Sequence, residues 1–589
     1  MAADDDEQRI SSATELVRTG ARLTRAGLEL WQQNLTRALQ PPDDPLRLGE
    51  AGAALAASLL RDPLHLARIQ ARMWADYVAL ASRMLSADGA SAAVTPQPGD
   101  RRFRDDAWND NPVFDLIKQS YLIAGRGIVE AIRTAEGLDE ATRQRLEFAV
   151  QQVVDALAPS NFALTNPVVL RAALDSGGRS LIDGLNNMLD DLASSGRLEA
   201  PMAHDEHFEV GRDLAVTPGK VVCQNELMQL IQYDATTAQV NRTPLLLMPP
   251  WMNKFYVMDL RPGNSLVQWL VDQGHTVFVI SWVNPGKELA HKSFEHYMLE
   301  GPLAALDAIE QATGEREVNV AGYCLGGILL AAVLAWMAVK GDGRIKSATL
   351  LTAMVDFAET GEVSLFIDEK ALDALEQKIH AQGYLEGRAV YDTFRAMRAN
   401  DLIWSFYVSS YLMGNKPAAF DLLFWNSDST NMPASMHTWF MRNMYLKNLL
   451  REPGGITLAQ VPIDVSKVNT ATYILSTIDD HIAPWKTTYH TTQLFSGPVK
   501  FVLGESGHIA GVINPPARHK YGYWINAHNP ADSALWLDGA RYHEGSWWPD
   551  WDRWLKRFAG GKVAARKPGT GKLPALEPAP GSYVLVRND

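Results

Sequence analysis

Gly322-Tyr323-Cys324-Leu325-Gly326 has the Gly-x-Ser-x-Gly spacing of a nucleophile elbow, with cysteine in place of serine. The motif follows a short β-like run, "EVNVAGYC" (317–324), and precedes a long apolar one, so it has the strand–turn–helix setting it requires. The chemistry implied is covalent: a thiol held out of a tight turn attacks an acyl carbon, and the flanking glycines leave room for the adjacent strand and helix. Free N–H groups at the start of the following helix suit a developing negative charge, and the N–H of Leu325 points at an oxyanion. A buried, inert cysteine at a small-residue turn would show the same five residues, so the partners decide.

A nucleophile on an elbow of the α/β-hydrolase kind is followed along the chain by an acid and then a histidine, each after a later strand. Both are present. "TYILSTIDDHIAPW" closes a β-like run with Asp479-Asp480-His481, and "FVLGESGHIAG" closes the last such run with His508. Spacing alone does not separate Asp479 from Asp480. Among 14 histidines, His508 is singled out by its place after the final strand. Cys223 has no motif around it and reads as structural.

The elements that must position these residues form an α/β series. Runs at 243–250 ("TPLLLMPP"), 275–282 ("HTVFVISW"), 317–324, 347–357 ("SATLLTAMVDF"), 470–477 ("TATYILST") and 499–504 ("VKFVLG") alternate with helical stretches, which favours a mostly parallel sheet covered by helices. Between 358 and 460 no such series occurs, and an aromatic- and Met-rich composition reads as an inserted cap. The first two hundred residues are mostly helical. Leu28, Trp31, Leu35 and Leu39 recur at helical steps, 64–85 does likewise, and helical patterns resume from Pro112 to Leu192. "SADGASAAVTPQPGD" (86–100) reads as a linker, and the domain boundary is placed near residue 200, giving domains 1–200 and 201–589.

Composition limits the function classes. A chain of 589 residues that is 47% hydrophobic can bury a large core, and its net charge of −13 argues against nucleic acid as a partner. Two cysteines cannot supply a disulfide framework or a Cys-rich zinc site, which suits a reducing, cytoplasmic setting. The N-terminus lacks the basic start and apolar stretch of a secretory signal, and the longest apolar run, 328–339, is too short to span a bilayer; no transmembrane segment is expected.

With "GYCLGG", "DDHIAPW", "ESGHIAGVINPP", "LLLMPPWMNKFYVMDLRPGNSLVQWLVDQGHTVFVISW" and "EGSWWPDWDRWL" in order, the chain from about residue 100 resembles a class I polyhydroxyalkanoate synthase. The resemblance implies an α/β-hydrolase catalytic domain with a cap, Cys324 as acyl-carrying nucleophile, His508 as general base and Asp480 as the acid. It points to the N–H of Met252, in "PPWMNK", as a second oxyanion donor beside that of Leu325, with Trp251 and Asn253 shaping that wall. Trp425, Tyr445 and His481 would lie near substrate, although core packing serves Trp425 equally well and an exposed loop position serves His481. The implied partners are (R)-3-hydroxyacyl-CoA, a growing polyester chain, the granule surface and a second copy in a homodimer, with no metal and no cofactor beyond the substrate's own coenzyme A.

Sulfur suits that chemistry, because a thiolate attacking an acyl-CoA exchanges one thioester for another at little cost and keeps the acyl group reactive. A second substrate's 3-hydroxyl, deprotonated by His508 with Asp480, then lengthens the ester. The same residues would serve a cysteine-dependent acyl hydrolase. A coat protein binding an apolar surface through the Trp547, Trp548, Trp551 and Trp554 cluster is a third reading, against which stands ordinary helix-to-core packing of those rings.

Overall fold

The computed structural model describes residues 46–85, 94–97, 99–202 and 208–588. The periodic run from Leu28 to Leu39 and most of the 86–100 linker lie outside them. The chain forms two compact units, Met1–His204 with Thr393–Ala418, and Asp205–Asp392 with Ala419–Asp589.

Six helices make up most of the described part of the first unit: α1 (Leu48–Arg61), α2 (Pro63–Leu85), α3 (Pro112–Arg133), α4 (Glu140–Ala156), α5 (Pro167–Asp175) and α6 (Arg179–Ser195). Their starts are written in the sequence. Asn111 accepts from the N–H of Val113 with Pro112 at the first helical position, Asn166 repeats the device before Pro167, and Asp139 accepts from Thr142. Trp108 is fully buried, edge-on to Phe103 at 5.0 Å. Residues 393–418, read from sequence as part of one continuous cap, belong to this helical unit. The reason is packing: a Cβ at Gly184 would lie 2.1 Å from the Tyr411 carbonyl, so only glycine lets α6 come this close, and the Tyr411 hydroxyl donates to Asp191 at 3.0 Å.

The second unit is built on an eleven-stranded sheet. In chain order its strands are β1 (Gly219–Gln224), β2 (Met228–Tyr233), β3 (Leu245–Met248), β4 (Val277–Trp282), β5 (Val318–Tyr323), β6 (Ile345–Leu351), β7 (Ala471–Thr477), β8 (Val499–Gly504), β9 (Tyr523–Ile525), β10 (Arg541–His543) and β11 (Glu577–Pro578). The spatial order is β10-β9-β8-β7-β6-β5-β3-β4-β2-β1-β11. β4, β3, β5, β6, β7 and β8 run parallel, and antiparallel strands extend both edges. All six expected strand runs are present. The central ones are buried along their whole length, as strands covered on both faces must be, which is why they read as continuous apolar runs.

Helix α7 (Leu325–Lys340) follows β5 and is buried almost all round, so its sequence shows no polar face. The strand order turns at β3, which lies between β4 and β5, and the loops at the C-terminal ends of neighbouring parallel strands converge there. Helix α8 (Trp548–Leu555) carries most of the tryptophan cluster inward. Trp547, Trp548, Trp551 and Trp554 are all buried, with indole N–H groups donated to Gly511 O, Val512 O and Thr349 Oγ1 by the first three. That cluster therefore presents no apolar surface. Among the described residues no helix is long and apolar enough to cross a membrane.

Candidate active site

Cys324 stands between the last residue of β5 and the first of α7, with φ 52° and ψ −119°. For a residue with a Cβ this is strained backbone, and the surroundings enforce it. Its N–H donates to Leu351 O at the end of β6 (2.9 Å), and its carbonyl accepts from Gly327 and Ile328 in the first turn of α7. The flanking glycines are required by contact: a Cβ at Gly322 would lie 2.5 Å from Gly326 O, and one at Gly326 would lie 2.1 Å from Met248 O. The turn thus pushes a half-buried thiol out past the C-terminal edge of the sheet.

His508 follows β8 in a loop that turns at Ser506 with φ 73°. Trp547 and Trp548 pin the same loop three and four residues further on, at Gly511 and Val512. Its Nδ1 pairs with Asp480 Oδ2 at 2.7 Å, and the Cys324 sulfur lies close enough to act on the charge of the ring. Asp480 is buried after β7, and its other oxygen accepts from the N–H groups of Ile482 (2.9 Å) and Ala483 (2.8 Å). Asp479 is exposed and directs its N–H to Ser506 O, so the carboxylate on the histidine is that of Asp480. Burial of the His508 ring opposes its charge, but Asp480 and the Cys324 sulfur outweigh burial and push it up to about 10. The imidazole is a strong proton acceptor, oriented by a carboxylate and aimed at a thiol.

Two backbone N–H groups, those of Leu325 and Met252, have no acceptor among the described residues. Leu325 opens α7, and Met252 lies in the loop after β3, so both belong to the same end of the sheet. Donors left free in this way can receive an oxygen that gains negative charge.

The remaining site residues singled out by sequence lie in the loop after β3, in the stretch 419–460 and directly after β7. Trp251 is buried against Phe294, Tyr297 and Phe440. Asn253 makes an antiparallel bridge to Ser429. Trp425 is buried, and its indole N–H donates to Lys254 O at 2.7 Å, so its polar edge is engaged by the loop that carries Met252. Tyr445 packs on Phe357 at 5.0 Å and lies close enough to Cys324 and Asp480 for their charges to add to burial in raising its phenol. His481 is half-buried beside Asp480. Cys223 lies on β1, and burial pushes its thiol up, the opposite of an activated cysteine.

Sequence reasoning missed Tyr323, the first of the two variable residues of the elbow motif. Its ring stacks on His508 at 5.6 Å, and its hydroxyl donates to the His508 carbonyl at 3.1 Å. Nothing in the motif signals this, because the contact joins the end of β5 to the His508 loop, which meet only in the fold. The buried pair of Lys254 and Asp428 was missed for the same reason.

Comparison with known proteins agrees with this fold. The model for "Poly-beta-hydroxybutyrate polymerase (PhaC) N-terminus" matches residues 99–270, and that for the alpha/beta hydrolase fold matches 261–515. A poly(3-hydroxyalkanoate) polymerase of Methylorubrum extorquens is 47% identical over 538 residues, 90% of this chain and 89% of its own. Polymerase subunits of Rhizobium meliloti (46% identical, covering 90% of this chain and 87% of theirs) and Cupriavidus necator (42%, 92% and 91%) are similar throughout. An α/β-hydrolase sheet, and identity of this order over nearly the full length of both chains, place this protein in the poly(3-hydroxyalkanoate) polymerase family, as an enzyme of the acyltransferase type.

Proposed function

We propose that the protein polymerises (R)-3-hydroxyacyl-CoA, with 3-hydroxybutyryl-CoA as substrate, into polyester with release of coenzyme A, through a thioester on Cys324. The observation that carries this reading is the buried relay from Asp480 through His508 to the half-buried Cys324, at the ends of β7, β8 and β5.

His508 accepts the thiol proton while Asp480 holds the ring in register, and the sulfur attacks the substrate's thioester carbon. The carbonyl oxygen takes up negative charge toward the N–H groups of Leu325 and Met252. Collapse of the intermediate expels the coenzyme A thiolate, which takes a proton from His508, and leaves the acyl group on Cys324. The 3-hydroxyl of a further hydroxyacyl group then gives its proton to His508 and attacks that thioester; an ester forms, the C–S bond to Cys324 breaks, the departing thiolate takes the proton back from His508, and the chain grows by one unit. Trp251, Asn253, Trp425, Tyr445 and His481 form the substrate surroundings in this reading. No cofactor beyond the substrate's coenzyme A takes part. The same reading includes a helical domain 1–200 ahead of a catalytic domain 201–589, and a cytoplasmic homodimer working at the granule surface.

A short incubation with (R)-3-hydroxybutyryl-CoA, acid quench and peptide mass measurement tests the covalent step. A hydroxyacyl adduct on the Cys324 peptide is expected, and none in Cys324→Ala. Turnover by the wild-type enzyme with the adduct on another residue would sink the assignment.

A further inference from the structure

A second pair of charges is buried between the loop after β3 and the stretch Trp425–Thr430, and it takes no part in the proton relay. Lys254 Nζ lies 2.8 Å from Asp428 Oδ1, each side chain is only 2% exposed, and the Tyr256 hydroxyl donates to Asp428 Oδ2 at 2.8 Å. Burial pulls the Lys254 ammonium down and Asp428 partly restores it. Burying two charges costs about as much as their attraction returns, so such a pair adds little net stability. What it does supply is geometry.

That geometry concerns one loop. The carbonyls of Trp251, Met252 and Lys254 are each held by the Trp425–Thr430 stretch, through Thr430 Oγ1 (2.6 Å), the Thr430 N–H (3.1 Å) and the Trp425 indole N–H (2.7 Å). Asn253 bridges Ser429 in the same place. With its carbonyls fixed in this way, the loop leaves the Met252 N–H without an acceptor among the described residues.

We propose that Lys254 and Asp428 are positioning residues: they lock the loop Trp251–Lys254 to the stretch Trp425–Thr430 and so hold the Met252 N–H where the substrate's oxyanion forms. This inference rests on the proposed acyl transfer and adds to it that the oxyanion donor is set by the segment Trp425–Thr430, not by the sheet alone.

The test separates the oxyanion donor from the nucleophile. Alkylation of Cys324 by iodoacetamide forms an S–C bond and expels iodide without charging a carbonyl oxygen, so it reads the thiol and His508 but not the donors. Asp428→Leu combined with Lys254→Met replaces the pair by apolar groups, which preserves folding better than leaving one charge alone. Its kcat should fall about 10- to 100-fold, at or below the loss of a whole donor, with KM within about threefold and the alkylation rate unchanged. Thr430→Val, which removes only the hydroxyl on Trp251 O, should show the same split at about 3- to 10-fold and stands in if the double variant does not fold. Variants with wild-type kcat, or a parallel loss of alkylation and turnover, would overturn the inference. A wild-type enzyme that releases no coenzyme A from (R)-3-hydroxybutyryl-CoA would count instead against the acyl-transfer reading beneath it.

Discussion

Gly326→Ala puts the elbow geometry to a quantitative test. A Cβ at Gly326 would sit 2.1 Å from Met248 O, 2.8 Å from Pro249 O and 2.9 Å from Met248 C, all below the 3.0 Å that real Cβ contacts respect. These atoms are backbone at the end of β3 and cannot rotate away. Relief needs α7 and β3 to part by about 1 Å, and overpacking of this kind costs about 1–3 kcal/mol. The displacement also carries the N–H of Leu325 away from the loop that bears Met252. A 1 Å misplacement at a reacting centre costs about 100-fold in rate, so kcat should fall by about that factor, and the melting temperature by about 2–4 °C for each kcal/mol lost. Gly343→Ala is the control, because a Cβ there meets nothing within 4 Å and its φ is ordinary; it should leave activity and melting unchanged. Coenzyme A release and thermal melting on both variants give the answer. A Gly326→Ala enzyme with kcat within twofold of wild type would refute the claim that this contact sets the site.

Other expectations follow from the same contacts. Tyr323→Phe keeps the stack on His508 but leaves its buried carbonyl without the hydroxyl, costing about 1–3 kcal/mol; kcat should drop several-fold with KM nearly constant, whereas an equal change in both would mark a binding role. Because the folded-state value of His508 is raised to about 10, its charged form stabilises the fold fully below its unfolded value, and that contribution fades as pH rises toward 10. The melting-temperature gap between wild type and Asp480→Asn should accordingly shrink between about pH 6.5 and 10, and a gap independent of pH would contradict the pairing. Trp548→Phe takes the indole donor from Val512 O in the His508 loop, leaving it only the Asn514 N–H, and should lower kcat several-fold; wild-type turnover would show that the loop does not depend on that anchor. Limited proteolysis should cut first within 86–100 or near residue 200, and first cuts inside the α/β unit would contradict that division.

The parts of this protein legible in its sequence are those written locally. Six central strands announce themselves as apolar runs because both their faces are covered, and the elbow, acid and histidine each close one of them. β1 and β2 were not read, since β2 carries the fully buried Gln229 and Gln232 where a pattern of apolar residues would be sought. β9, β10 and β11 are two or three residues long, too short for a period of two to register. Spacing could not choose between Asp479 and Asp480, because that choice depends on which carboxylate the turn buries. Contacts between distant segments, such as Tyr323 on His508 or Lys254 on Asp428, leave no periodicity at all.

The central claim is that Cys324 holds a growing acyl chain and passes it to a hydroxyl in preference to water. Product balance with the pure enzyme and (R)-3-hydroxybutyryl-CoA tests it most directly, by measuring coenzyme A, free 3-hydroxybutyrate and insoluble polyester in one reaction. Each coenzyme A released should be matched by one acyl unit in polymer, with free acid a minor product. Stoichiometric free acid and no polyester would contradict the account and leave a cysteine-dependent acyl hydrolase in its place.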